Sequence, residues 1–218
     1  MRQPSDRCLL LDLDGTLIDP ALGIVGCLRA ALEEVGHPAA EDDDLLWVIG
    51  PSLRGSLAKL VPDPAAAELA LVAYRRRYGE EGLYQASVYD GVMEALELLQ
   101  GQDARLFLCT AKAAVFARRI VERFGFDRFL EGVYGAELDG RFENKAELIF
   151  HILGQEGLSP EAACMVGDRR HDIEGARRNG VRGVGVLWGY GGEEELTLAG
   201  AHALISHPSE MTSILARV

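Results

Sequence analysis

The sequence predicts an α/β fold: a Rossmann-like three-layer core with a mostly parallel sheet, plus a helical unit inserted after the first strand. Three observations predict it. Short, nearly continuous apolar runs recur along the 218 residues, as in strands covered on both faces by helices. Helical patterns separate these runs, which gives a parallel α/β sheet. Some 90 residues between the first run and the second carry no strand pattern, far more than a simple crossover needs.

The strand runs are Cys8–Leu13, Arg105–Thr110, Ala163–Val166, Gly183–Leu187 and Ala203–Ile205. Between the first two, Pro20–Val35, Asp44–Ile49, Ser52–Val61 and Pro64–Tyr78 read as helix, punctuated by Pro38, Pro51, Pro62 and Pro64. The insert therefore runs from Asp19 to Gln85. The division is residues 1–18 and 86–218 for the core, and 19–85 for the insert. In Val115–Phe124, Phe116, Ile120, Val121 and Phe124 lie on one helical face, and Gly125 fits a C-cap. Ser159-Pro160 reads as a helix start. The acidic run Glu41–Asp44 reads as a solvated first turn, where carboxylates suit the helix dipole.

With 48% hydrophobic and 26% charged residues, the composition is that of a globular chain. A net charge of −12 and a pI near 4.9 argue against nucleic-acid polymers and anionic membranes as partners. They leave room for a small anionic substrate in a locally positive pocket. Cys8, Cys27, Cys109 and Cys164 form no CxxC pair, and three lie in strand runs, so buried free thiols are expected. No apolar run reaches the roughly 18 residues of a membrane span, and the first residues carry no apolar signal region. A cytoplasmic protein is expected.

Polar residues gather at predicted strand ends, where open α/β sheets bind ligands. "LLLDLDGTL" ends the first strand with Asp12 and Asp14, and strand alternation lets both reach one pocket. Gly15 allows a sharp turn that bares backbone N–H groups to an anion. Thr110 ends the second run in "LFLCTAK", Asp168 another in "MVGDRRHD", and Lys145 opens a helix in "ENKAELI". Asp12, Asp14 and Asp168 make an all-oxygen set that suits Mg²⁺ rather than zinc. A carboxylate attacking a phosphate dianion faces repulsion: unit charges 4 Å apart interact by about 4 kcal/mol at an effective dielectric near 20. A divalent cation, Lys145 and the Thr110 hydroxyl would offset it. In that chemistry Asp12 attacks phosphorus and Asp14 protonates the leaving alkoxide, then takes a proton from water.

These residues resemble the four motifs of the haloacid dehalogenase-like hydrolases, in order and over nearly the whole chain. "DLDGTL" resembles the first motif, "CTAK" the second, Lys145 the third and "GDRRHD" the fourth. The resemblance implies that Asp12 is the nucleophile and Asp14 the acid/base. It places Gly15, Thr110, Ala111 and Lys145 on the phosphate. It implies Mg²⁺ held by the Asp12 side chain, the Asp14 backbone carbonyl and Asp168, with Asp172 assisting from behind. An insert between the first and second motifs is the pattern of a subclass I cap, which usually sets specificity. Ala111 and Arg169 depart from the commonest pattern, an asparagine and a serine or threonine respectively, without removing a catalytic group.

"YGAELDGRFENKAELI" and "GVLWGYGGEEEL" are similar to the phosphoglycolate phosphatase-like branch, which includes proteins called 5′-nucleotidases. The expected activity is hydrolysis of a small phosphorylated metabolite, phosphoglycolate or a nucleoside 5′-monophosphate. A phosphosugar mutase would carry the same motifs. A non-catalytic phosphate- or nucleotide-binding regulator would be expected to lack one. In the insert, Arg54 of "GPSLRGSL" is the expected contact to the substrate's leaving group or carboxylate. The cluster "YRRRY" at Tyr74–Tyr78 is a second candidate for specificity, with Arg75–Arg77 alternatively read as a solvated helix face, and Trp188–Gly192 reads as either a turn or a border of the pocket.

Overall fold

The computed structural model describes residues 7–40 and 44–214. Its main sheet has six strands. In chain order they are β1 (Cys8–Leu11), β4 (Arg105–Ala113), β5 (Gly132–Ala136), β6 (Ala163–Gly167), β7 (Arg182–Val186) and β8 (Ala203–Ile205). Their spatial order is β5-β4-β1-β6-β7-β8, and every pairing is parallel. The first strand of the sequence is thus central, which is why it reads as unbroken apolar residues.

Alternation along β1 builds the layers. Leu9 and Leu11 face one side, packing in a cluster with Leu96 and Leu99 of α4 (Val92–Gln100) and Ile120 of α5 (Ala114–Phe124). Cys8 and Leu10 face the other, with Leu148, Ile149 and Ile152 of α6 (Lys145–Glu156) and Ala176 of α7 (Arg170–Arg178). All four β1 residues are fully buried. Each leucine contributes roughly 1.5–3 kcal/mol of burial.

The insert leaves the core through β2 (Ile18–Asp19) and returns through β3 (Ser87–Val88), which pair antiparallel. Between them lie α1 (Ala21–Glu34), a 3₁₀ turn at Leu46–Val48, α2 (Leu53–Leu60), α3 (Pro64–Glu80) and a second 3₁₀ turn at Gly82–Tyr84. Ser52 caps α2 by accepting from Gly55 N, and Asp63 caps α3 by accepting from Ala66 N at 3.0 Å, with Pro64 at the first position. The helix start and stop signals placed these elements within two or three residues.

Three local readings differ. The helix expected at Asp44–Ile49 is only the 3₁₀ turn, begun where Asp44 accepts from Leu46 N at 2.9 Å. The rest of the Glu41–Asp44 run lies outside the described residues. Ser159-Pro160 opens a 3₁₀ turn, Pro160–Ala162, rather than a helix; the Ser159 hydroxyl bonds Glu161 instead of capping. The edge strand β5 has no counterpart in the strand runs read from sequence. Its "GVYGA" holds two glycines, which weaken a strand pattern. Gly135 is nonetheless required: a Cβ there would sit 2.6 Å from Lys112 O and 3.0 Å from Ala114 Cα. It makes room for an irregular register in β4 between Thr110 and Ala113.

Candidate active site

The carboxyl ends of β1, β4 and β6 converge with the N-termini of α6 and α7. Asp12 follows β1, and its N–H still donates to Val166 O at 2.9 Å, so the ladder fixes where its side chain starts. The chain then turns at Gly15, which has φ +81°. A Cβ on Gly15 would stand 2.2 Å from Asp168 Oδ2, so no other residue fits both the dihedral and the space.

Lys145, at the start of α6, is held by an Asn144 cap on Ala146 N. Its ammonium lies 2.9 Å from Asp12 Oδ1, 2.7 Å from Asp172 Oδ1 and 2.9 Å from Cys109 O. Burial alone would push its pKa down; the carboxylates of Asp12 and Asp172 outweigh burial and hold it well above the usual lysine value. Lys145 is therefore a fixed positive charge at the back of the site.

Asp168 follows β6. Its Oδ2 accepts from Tyr190 N at 2.8 Å, while its Oδ1 is buried with no hydrogen-bond partner among the described residues. Burial, then the charges of Asp12 and Asp172, raise its pKa well above the carboxylate range. Asp172, on α7, pairs through Oδ1 with the Lys145 ammonium and accepts from Arg169 N through Oδ2 (3.1 Å); burial raises its pKa to about 6 against the pull of Lys145. Asp12, Asp168 and Asp172 each offer an oxygen within 4.8 Å of the others. Three buried carboxylates, with Oδ1 of Asp168 and of Asp172 lacking a hydrogen-bond donor among the described residues, fit a hard divalent cation such as Mg²⁺. Asp172 has both oxygens engaged by protein, which fits a supporting position behind Asp12 and Asp168.

The Asp14 side chain lies outside that cluster. Its Oδ2 is 2.8 Å from Lys112 Nζ, and its Oδ1 is buried without a hydrogen-bond partner among the described residues. Burial raises the Asp14 pKa, with Lys112 opposing. Any part of Asp14 in holding a cation thus falls to its backbone. Thr110 is buried at the same edge, its hydroxyl accepting from Lys112 N at 3.2 Å, and Ala111 lines the adjoining cavity.

That cavity, of about 70 Å³, lies between the insert and the sheet edge, bounded by Asp12, Asp14, Thr110, Lys112, Tyr74 and Tyr78. Arg54 is on its wall but already carries Glu68 and Glu143 as partners, the latter at 3.4 Å. Arg75 also reaches the wall, donating to Leu138 O at 3.0 Å, whereas Arg76 and Arg77 turn away to Glu34. The stretch Trp188–Gly192 both turns toward α8 (Glu193–Ala199) and braces the site. Trp188 Nε1 donates to Thr16 O at 3.0 Å, and Tyr190 N holds Asp168. Sequence reasoning missed Lys112 and the Arg169 side chain, which donates to Ile49 O of the insert and to Glu195, whereas Tyr78 ends the "YRRRY" cluster it singled out. Spacing does not find Lys112, because the register of β4 is irregular between Thr110 and Ala113.

With this geometry in place, the comparisons with known proteins give the family. A haloacid dehalogenase-like hydrolase profile matches residues 9–186. The chain is 44% identical to a 5′-nucleotidase of Pseudomonas aeruginosa over 189 residues, 86% of each protein. It is 40% identical to the tyrosine-protein kinase PtkA of Mycobacterium tuberculosis over 86% of this chain and 64% of that protein. A predicted phosphatase from Clostridium acetobutylicum has a TM-score of 0.93 at 30% identity, covering 97% of this chain and 99% of its own. The chain belongs to the haloacid dehalogenase-like hydrolases and is a hydrolase of their phosphatase type. Among the described residues, no helix is long and apolar enough to cross a membrane.

Proposed function

We propose that the protein is a Mg²⁺-dependent phosphomonoester hydrolase acting on a small phosphorylated metabolite through an aspartyl-phosphate on Asp12. One observation carries the reading. Two carboxylates face one cavity, and each is balanced by its own buried lysine: Asp12 by Lys145, Asp14 by Lys112. Separate environments permit separate roles.

In the first step an Asp12 carboxylate oxygen attacks phosphorus, and the bond from phosphorus to the ester oxygen breaks. Asp14 gives its proton to the departing alkoxide. In the second, water attacks the same phosphorus, Asp14 takes the proton of that water, and Asp12 leaves as carboxylate. Lys145 and the Thr110 hydroxyl hold the phosphoryl oxygens, with the N–H groups of the Gly15 turn and Ala111 beside them. Asp12, Asp168 and the Asp14 carbonyl would hold a Mg²⁺ ion, which would supply electrostatic stabilisation of the phosphoryl charge. Asp172 keeps Lys145 in place.

Residues 19–85 act as a cap in this reading, hinged near Ile18–Pro20 and Gln85–Tyr89, where β2 and β3 join it to the core. A cavity of about 70 Å³ favours a small ester such as phosphoglycolate over a larger one. A nucleoside 5′-monophosphate needs the cap displaced, after which Tyr74 and Phe116 offer aromatic faces. The test is phosphate release from a panel containing both esters, with and without Mg²⁺, for wild type and Asp12→Asn. Mg²⁺-dependent release lost on substitution supports the reading, and the best kcat/KM names the ester. Release that survives Asp12→Asn, with deamidation excluded by mass, refutes it.

A further inference from the structure

The structure contains a second buried lysine that the four motifs leave without a task. Lys112 is on the irregular end of β4, with its side chain only 6% exposed. Its ammonium makes three contacts at once. It lies 2.8 Å from Asp14 Oδ2, donates to the Tyr78 hydroxyl at 2.6 Å, and sits 4.4 Å from the centre of the Tyr78 ring. Tyr78 comes from the other side of the cavity, on α3 of the insert. It stacks on Tyr74 at 5.3 Å and meets Phe116 of α5 edge-on at 5.4 Å, so it occupies the seam between insert and core. The β4 irregularity that brings Lys112 there depends on the bare Cα of Gly135, so the placement is built into two strands.

We infer that Lys112 is a positioning residue for Asp14 and that Tyr78 ties this positioning to the cap. Lys112 occupies one carboxyl oxygen of Asp14 and thereby leaves Oδ1, which has no hydrogen-bond partner among the described residues, as the oxygen that faces the reacting groups. Without the ammonium, the Asp14 carboxyl is free to rotate about its own bond, and proton delivery loses its direction. Tyr78 adds a condition. Its hydroxyl and ring hold Lys112 in line only while α3 stands over the sheet edge. Cap displacement removes both contacts, so the acid/base is aligned when the cap is closed and released when it opens. The inference rests on the assignment of Asp14 as acid/base.

The experiment compares two substrates that differ in their need for an acid. An alkyl phosphate has a poor leaving group that must be protonated; p-nitrophenyl phosphate releases a stable anion. For Lys112→Met the inference predicts a loss of about 100-fold in the single-turnover rate of ester cleavage on the alkyl ester, the scale of one acid/base contribution. Cleavage of p-nitrophenyl phosphate should slow several-fold at most; single turnovers are read because the later hydrolysis of the aspartyl-phosphate uses Asp14 for either ester. Lys112→Arg should recover part of the alkyl activity. Tyr78→Phe removes one oxygen and keeps the ring, so it tests the link to the cap with little risk to folding. It should slow alkyl-ester cleavage about tenfold and nitrophenyl-ester cleavage far less. Equal losses of Lys112→Met in that cleavage rate on both esters, in a protein that melts like wild type, overturn the inference. Wild-type alkyl turnover in Tyr78→Phe overturns the tie to the cap. Asp14→Asn separates this from failure of the parent assignment: if it retains alkyl phosphatase activity, Asp14 is not the acid at all. If it loses that activity while Lys112→Met does not, only the positioning role fails.

Discussion

The sheet edge and the helical insert hold their charges in opposite ways. At the sheet edge, Asp12, Asp14, Lys145, Asp168 and Asp172 are almost wholly removed from water. Each charge there is set by buried neighbours: Lys145 bridges two aspartates, and Lys112 takes a third. In the insert, Arg76 and Arg77 share Glu34 in pairs that are one-third to one-half exposed. Exposed pairs of that kind contribute 0–1 kcal/mol, whereas removing one partner of a buried pair costs about 3–5 kcal/mol. The core edge is therefore rigid and fixed in charge, as chemistry on a dianion requires, while the insert is electrostatically cheap to change, as a selecting surface should be.

Substitutions break this contrast in a graded order. Asp12→Asn should lower kcat by at least about 1,000-fold on every ester, read by phosphate release, since the group that forms the bond is gone. Lys145→Met leaves Asp12 and Asp172 buried without their common cation. It should destabilise the metal-free protein by about 3–5 kcal/mol in a urea titration and abolish turnover. Leu9→Ala, in the fully buried centre of the sheet, should cost about 2–5 kcal/mol with little change in KM. Arg54→Ala should raise KM about tenfold and spare kcat; unchanged constants would take Arg54 off the substrate. Arg76→Ala should move stability by about 0.5 kcal/mol or less, with kcat/KM unchanged.

The pH dependence of metal binding sharpens the same contrast. Burial raises the carboxyl pKa values of Asp14, Asp168 and Asp172, the last to about 6, above the unfolded value of about 3.9. In the metal-free protein the folded state therefore holds protons that the unfolded chain has released. That penalty on the charged form is absent below the unfolded pKa and complete above the folded one. Stability should fall as pH rises from about 4 through 6. Mg²⁺ competes with those protons, so its stabilisation, read as the rise in Tm, should be larger at pH 7.5 than at pH 5. An equal rise at both would contradict the cluster as a cation site.

The same contrast explains what the sequence made legible. The core site was readable because β1 and β6 end in carboxylates where a buried parallel sheet must open, and because Lys145 follows an Asn cap. Asp14 was readable as a partner of Asp12, but the lysine that holds it was not. Lys112 reaches Asp14 through a strand irregularity that depends on Gly135 of β5, a strand whose glycines hide its pattern. In the insert, helix boundaries followed from the punctuating prolines Pro51, Pro62 and Pro64. The pairing of its arginines did not, because Glu34, Glu68 and Glu143 meet them across elements far apart in the chain. Nor could spacing show that Arg169 reaches across to the backbone of Ile49.

The central claim is that Asp12 carries the phosphoryl group between the two steps. The most direct measurement is acid quenching of the enzyme during turnover with Mg²⁺ and its best ester, followed by peptide mass mapping. The account predicts a phosphoryl adduct on the peptide containing Asp12, localised to that residue by fragmentation and absent from Asp12→Asn. An adduct on a different residue would contradict it.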